Sequence, residues 1–527
     1  MLSDRQTLRH ALLIIGRLLL CLCTALLGVL ALPGGKCPIL ALVMFVPLGL
    51  ALHRSTRVEC FVYAYLAGFL GWIASTGGLA TGLAAYSKIS PQAAIGVVVL
   101  GCAYLALPYG LFGILYGTLK WFTGPGGVFK AAACLTLLLG FFPSPLPLDP
   151  SHALYRFPLL VQVLDLGGPP LLLFGLLLFN WLLVDIILRL KERRSCWSSG
   201  ATLAGLCFLV VGYGTFRLAE LRAELSHSSP ERALRVGYVQ PNISLENDFH
   251  QHSNEALNPY RSMLEESADL FATSQSVDLV VWPETPVSIP CENDSGAVRL
   301  EVQAAAANYK TAFLINCSQS AGNGQNYNTQ MLIKPSGQTL AYHKQILFPF
   351  TEYLPGENIL PEAKEFFPGT SQYAAGSESV VLPVKDSLVV FPAICYEILF
   401  PGQTREFVRR GGNVMISPSN DAWFGLTRIP EFQIAAGVYQ AVEYRIPVVR
   451  DSNSGPSIAI QATGEIVPNS RTLPFTRTTR LVEVVAPRTR TTFFLIGNVF
   501  LYGLMSTFLL SLVFELRKRK FRPTARR

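Results

Sequence analysis

Apolar positions along this chain come in long unbroken runs toward its two ends and in short ones through its middle. Residues 11–32, 38–52, 61–83, 93–119, 128–142, 171–190 and 202–216 are dominated by Leu, Val, Ile, Ala, Phe and Gly, and an eighth run spans 493–514. A bilayer-crossing helix needs about 20 such residues. The runs therefore predict a polytopic α-helical membrane domain of about eight helices, seven of them before a large polar insert. Several runs are short, which leaves their ends open by a few residues. From about residue 235 to 487 the pattern changes. Short β-branched stretches at 236–239, 279–282, 312–317, 330–334, 388–395 and 414–417 alternate with helical ones at 259–274, 298–309, 403–410 and 432–444. Strands mixed with helices predict a layered α/β domain. The expected organisation is a membrane domain over 1–217, an insert over 233–487, a last membrane helix at 493–514 and a basic tail at 515–527.

Lys and Arg positions give this arrangement a direction. With the N-terminus inside, Arg54, Arg57, Lys120, Lys130, Arg189, Lys191, Arg193 and Arg194 fall in cytoplasmic loops, and only Lys36, Lys88 and Arg156 fall outside. That obeys the positive-inside rule. Seven crossings then place the insert on the outer side, and the eighth returns the tail Arg517-Lys518-Arg519-Lys520 to the cytoplasm. Arg5 and Arg9 ahead of the first run resemble the start of a signal peptide. Further apolar runs follow at once and no clear cleavage site intervenes, so the segment reads as a retained helix.

Composition agrees. With 50% hydrophobic and 15% charged residues the chain is too apolar for an ordinary soluble protein. Its net charge of +8 gathers at helix ends and in the tail, which argues for topology and anionic lipid rather than nucleic acid. Eight of the eleven cysteines lie in the apolar N-terminal part without a CxxC pair. Cys291 and Cys317, in the insert, would pair in an oxidising compartment if close enough, which spacing leaves open.

The chemistry points to the third cysteine of the insert. Val389-Val390-Phe391-Pro392-Ala393-Ile394-Cys395-Tyr396-Glu397 reads as a buried strand delivering a thiol to the end of a sheet. A thiol nucleophile needs a base and a donor for the oxyanion. Glu284 ends a strand-like run, and Lys344 sits in Tyr342-His343-Lys344. A buried cysteine is more often plain core, and a lone Glu or Lys more often surface; it is the joint pattern that singles them out.

Trp282-Pro283-Glu284, then Tyr342-His343-Lys344 with Pro349-Phe350-Thr351-Glu352-Tyr353, then Cys395-Tyr396-Glu397, then Ser419-Asn420-Asp421-Ala422-Trp423-Phe424-Gly425 appear in that order. This order resembles the carbon-nitrogen hydrolase (nitrilase) superfamily. With the membrane-embedded flanks it is similar to the apolipoprotein N-acyltransferase family in particular. The resemblance implies an α-β-β-α sandwich with Glu284 as general base, Lys344 as oxyanion partner and Cys395 as nucleophile. It makes Glu352 a partner of Lys344, and Tyr396 and Glu397 supports of the site. The apolar stretch carrying Phe348, Phe350 and Tyr353, together with Trp423 and Phe424, reads either as lipid or lid contacts or as core.

The activity implied is transfer of the sn-1 acyl chain of a phospholipid, with phosphatidylethanolamine the expected donor, to the N-terminal amine of S-diacylglyceryl-cysteine in apolipoproteins. It would proceed by ping-pong through a thioester in a bacterial inner membrane, with the catalytic domain periplasmic. No cofactor, metal or nucleotide is called for, and no phosphate-cradling glycine loop is present. The rivals are a membrane-tethered amidase acting on a small amide, and a transporter or scaffold whose outer domain only binds; the spans carry little of the charge expected along a transport path. Thr351 stands where the family usually has glycine, Ile434 where histidine is usual, and Asn247 near a usual tryptophan, while Pro418 and Ser419 alter the run before Asn420. These departures bear on loops and substrate choice, not on the triad.

Overall fold

The computed structural model describes residues 2–120, 125–244, 258–272, 276–284, 290–291, 297–322, 324–370, 373–425 and 427–520. Asn247 lies outside them. The chain forms two compact units, one of Met1–Gly77, Val99–Phe216 and Thr491–Arg527, the other of Gly78–Val98 and Arg217–Arg490.

The first unit is built of helices. Five described helices are long and apolar enough to cross a membrane, Leu8–Ala31, Arg57–Thr76, Pro91–Leu119, Leu164–Lys191 and Trp197–Ser226, the third beginning before this unit's second segment and the last continuing beyond the unit. Pro38–Leu52, Gly126–Phe141 and Val499–Phe514 are shorter apolar helices. Small residues let these helices approach closely. A Cβ on Gly113 would fall 2.2 Å from the Cys60 carbonyl oxygen, and one on Gly110 2.7 Å from the Phe61 ring. Two expected spans are interrupted. The run 61–83 is divided at Gly77-Gly78 into Arg57–Thr76 and a separate short helix. The run 93–119 breaks at Ala106, just ahead of Pro108, which sits in the first turn of the next helix. Asp165 lies in the first turn of Leu164–Lys191, where the positive end of the dipole favours a carboxylate, and it accepts a hydrogen bond from Tyr213 at 2.6 Å.

Among the described residues the second unit has eleven strands: β1 (Ala233–Gln240), β2 (Leu279–Val281), β3 (Ala312–Ser320), β4 (Asn326–Ile333), β5 (Thr339–His343), β6 (Leu382–Lys385), β7 (Leu388–Pro392), β8 (Val414–Ser419), β9 (Val448–Ser452), β10 (Ile458–Ile460) and β11 (Thr478–Val485). They form a six-stranded sheet, β11-β1-β2-β3-β4-β5, and a five-stranded one, β10-β9-β8-β7-β6. Each has a parallel centre, β1-β2-β3 and β7-β8-β9. Inward residues of both sheets make one core, with Val236, Val281, Leu314 and Leu332 meeting Val390, Val414, Ile416 and Val449.

Among the described residues the helices of this unit longer than two turns that lie wholly within it are α1 (Leu79–Ser87), α2 (Asn258–Asp269), α3 (Ala297–Tyr309), α4 (Pro401–Arg409) and α5 (Ile429–Tyr444). Tyr260 and Met263 of α2 and Val298 and Val302 of α3 pack with Val280, Trp282 and Phe313 on the outer face of the first sheet. On the second sheet Phe407 of α4 stacks on Phe391 at 5.0 Å, and α5 comes close enough that a Cβ on Gly437 would lie 3.3 Å from Ile460. The layering is α-β-β-α.

Strands β5, β6, β9, β10 and β11 were not expected. They are short or carry polar residues, such as Arg450-Asp451 in β9 and Thr478-Thr479-Arg480 in β11, which hide the period of two. The expected strand over 388–395 stops at Pro392, since proline cannot donate to the ladder.

Candidate active site

Two reversals of direction after β3 leave β5 parallel to β2, so both strands point their C-terminal ends at one edge of the first sheet. Trp282-Pro283-Glu284 leaves the sheet directly after β2, and Lys344 is the first residue after β5. Cys395 follows β7 by three residues. It opens a tight 3₁₀ turn, Cys395–Leu399, with φ at +51°. That left-handed backbone costs a non-glycine residue of the order of 1–3 kcal/mol. Because the strand has ended, alternation along it does not set the direction of Tyr396.

Lys344 is 1% exposed and donates to both carboxylates, to Glu284 Oε1 at 3.2 Å and to Glu352 Oε1 at 2.7 Å. Burial works against its charge, but the two carboxylates together outweigh it and hold the ammonium well above the usual lysine range. Asn328 Nδ2 also donates to Glu284 Oε1, at 2.7 Å, and reaches Glu352 Oε1 at 3.3 Å. The Asn328 amide is oriented by Asn316, whose Nδ2 donates to its Oδ1 at 2.9 Å. Among the described residues Asn328 and Lys344 both donate to Glu284 Oε1, which leaves Oε2 as the oxygen to take a proton. Burial raises Glu352 above the usual carboxylate range, opposed by Lys344; its Oε2 accepts from the Phe348 N–H at 2.7 Å.

The Cys395 thiol is buried. Burial foremost, and then the field of Glu284, push it far above the ordinary thiol range, with Lys344 acting in the opposite direction. A thiol so placed rests protonated and needs a base at the moment of attack. Gln433 of α5 donates its Nε2 to Cys395 Sγ at 3.7 Å. Gln433 Oε1 in turn accepts from Arg450 Nη2 at 2.6 Å, and that guanidinium is held by both oxygens of Asp421 at 2.7 and 2.6 Å. The sequence pattern did not single out Asn328, Gln433 or Arg450, although an arginine placed directly after the apolar run Ile446-Pro447-Val448-Val449 was a usable signal.

The supporting residues divide by function. Fully buried Glu397 accepts from Ile394 N, Gln345 N, Ile346 N and Tyr342 Oη at 2.7–3.1 Å, and so ties the turn after Cys395 to the chain after Lys344. Tyr396 packs edge-on against Phe348 at 4.9 Å, and Phe348 meets Phe424 at 6.3 Å. Phe350 lies against Phe367 at 5.5 Å and Trp423 against Tyr86 of α1 at 3.9 Å, while Tyr353 is more exposed than these. Thr351 closes its turn by donating to the Phe348 carbonyl at 3.2 Å, and Ile434 is buried beside Gln433. Pro418 and Ser419 extend β8 to the end of its pairing with β9. Among the described residues no group of three or more His, Cys, Asp or Glu is arranged to hold a metal ion.

The Carbon-nitrogen hydrolase family profile matches residues 235–492, and the Apolipoprotein N-acyltransferase N-terminal domain profile matches 24–182. The chain belongs to the apolipoprotein N-acyltransferase family. Relatives named apolipoprotein N-acyltransferase from Geobacter metallireducens and Agrobacterium fabrum are 26% and 29% identical, over 81% and 77% of this chain and 82% and 76% of their own. Another, from Allorhizobium ampelinum, is 29% identical over 71% of this chain and 70% of its own. The solved structure of Saccharomyces cerevisiae Nit3, a nitrilase-superfamily protein, is 17% identical, covering 49% of this chain and 93% of its own at a TM-score of 0.38. As an apolipoprotein N-acyltransferase family member the chain is an acyltransferase with a carbon-nitrogen hydrolase catalytic domain, and its bacterial relatives together with its apolar helices point to a bacterial membrane protein.

Proposed function

We propose that this acyltransferase moves the sn-1 acyl chain of a phospholipid, phosphatidylethanolamine above all, to the N-terminal amine of S-diacylglyceryl-cysteine in apolipoproteins. The observation that carries this is the buried cluster of Lys344 between Glu284 and Glu352 acting on the protonated Cys395 thiol, in a chain with the family's membrane domain. Glu284 takes the Sγ proton as sulfur attacks the ester carbonyl. Lys344 and the backbone N–H after Cys395 stabilise the tetrahedral oxyanion. The C–O bond breaks, Glu284 returns the proton to the departing lysophospholipid alkoxide, and a thioester remains. The acceptor amine then attacks and loses its proton to Glu284; the C–S bond breaks, and the thiolate is reprotonated. Exclusion of water lets the thioester wait for an amine. Aromatic residues Phe348, Phe350, Tyr353, Trp423 and Phe424 supply an apolar approach for the acyl chain.

In this reading eight apolar segments cross the membrane, the catalytic domain over 233–487 is periplasmic and both termini are cytoplasmic, a topology that the distribution of Lys and Arg supports. The test is purified protein in detergent with phosphatidylethanolamine labelled in the sn-1 chain and a diacylglyceryl-cysteinyl peptide. Label should move to the peptide amine, and not in Cys395→Ser. Turnover of a simple amide with no acyl transfer from any phospholipid would leave a tethered amidase instead.

A further inference from the structure

Gln433 is buried in α5, and the two ends of its side-chain amide are chemically opposite. Only the Nε2 end can stabilise negative charge on sulfur. Which end meets Cys395 is decided by Arg450, because the guanidinium can donate only to Oε1 and so turns Nε2 toward Sγ. Arg450 is itself fixed on three sides, by the two Asp421 oxygens and by the Pro456 carbonyl at 2.8 Å. Ser452 Oγ donates to Asp421 Oδ2 at 2.9 Å and completes the seat. The arginine's charge is matched by Asp421, so the sulfur feels an oriented neutral dipole.

We propose that Gln433 is the sulfur-stabilising donor of the site, with Arg450 and Asp421 as positioning residues that lock its amide. The inference rests on Cys395 being the nucleophile. Charge builds on Sγ twice in the cycle. It builds first when the thiol proton passes to Glu284 and sulfur attacks, and again when the C–S bond of the thioester breaks toward the acceptor amine. In both steps the Nε2–H of Gln433 stays on nitrogen and contributes only a hydrogen bond. The other charged groups acting on Cys395 are Glu284, Glu352 and Asp421, which disfavour the thiolate, and Lys344, which favours it. Gln433 is thus a donor to sulfur that brings no ionic charge of its own.

The test needs no acyl donor, so it stands apart from the proposed reaction. Full-length protein in detergent is treated with iodoacetamide between pH 7 and 9, and the Cys395 peptide is followed by mass spectrometry beside the other cysteines. Gln433→Met removes the donor. Gln433→Glu keeps the length and the Arg450 contact but offers sulfur no N–H, which guards against a result caused by lost packing. Both variants should alkylate Cys395 about tenfold more slowly than wild type across the rising limb of the pH profile, equivalent to a shift of about one pH unit. Alkylation of Cys196, in the polar link just ahead of the helix Trp197–Ser226, should not change. A Cys395 rate within threefold of wild type in either variant overturns the proposal. If wild-type protein fails to acylate while the variants still alkylate slowly, the relay stands and the acyl-transfer reading falls.

Discussion

The Cys395 thiol and the Lys344 ammonium are displaced in the same direction for different reasons. Burial forces the thiol up, whereas two carboxylates hold the ammonium up against burial. A raised thiol is mostly protonated near neutrality, and its thiolate fraction grows about tenfold per pH unit below its pKa. Alkylation of Cys395 in the wild-type protein should therefore climb from pH 7 to pH 9 without levelling; a plateau below pH 7 would mean a thiolate already formed at rest. Glu284 and Cys395 were legible because each closes an apolar run, and the end of such a run is where a side chain can be offered to a site; Lys344 was legible only through the joint pattern, since the strand it follows, β5, carries polar residues at both ends. Gln433 and Arg450 were not, because their meeting depends on how α5 lies across the second sheet, and neither residue's neighbours in sequence record that.

Among the elements, α1 is the one that sequence pattern misassigned. Hydropathy joined it to the preceding span, yet Gly77-Gly78 ends that helix and α1 packs within the catalytic unit. There Ser87 Oγ donates to the Phe350 carbonyl at 2.7 Å, the Gly369 N–H donates to the Ser87 carbonyl at 3.0 Å, and Tyr86 meets Trp423. Gly82 lies so close that a Cβ would fall 2.0 Å from the Trp423 carbonyl oxygen. Gly82→Val should displace the Trp423 segment and slow acyl transfer roughly tenfold or more. Alkylation of Cys395 should be unaffected, as the triad is not touched; equal loss of both would show that α1 supports the whole fold instead. The unexpected strands are a second lesson at this scale. β9 reads as polar because Arg450, Asp451 and Ser452 are buried in a hydrogen-bonded network, so polarity there marks buried bonding and not exposure.

At the scale of the whole molecule, eight apolar segments were visible as runs, while their lengths were not. Among the described residues five reach spanning length, one of them broken at Ala106, and the helix Trp197–Ser226 continues well past the apolar stretch that predicted it. Cys291 and Cys317 form a disulfide that ties the chain after Glu284 to β3, which makes the proposed compartment testable. Such bonds persist in oxidising compartments. Protein from intact cells, denatured in alkylating reagent, should gain two modified cysteines only after reduction, at Cys291 and Cys317; their modification without reduction would contradict a periplasmic domain.

The central claim is that Cys395 carries the acyl chain between donor and acceptor. Intact-protein mass spectrometry after incubation with phosphatidylethanolamine bearing a labelled sn-1 chain tests it most directly. The account predicts one labelled acyl group on Cys395, released by hydroxylamine, discharged by a diacylglyceryl-cysteinyl peptide and missing in Cys395→Ser. A peptide that becomes acylated while no adduct forms on Cys395, or while the serine variant transfers as well as wild type, would contradict it.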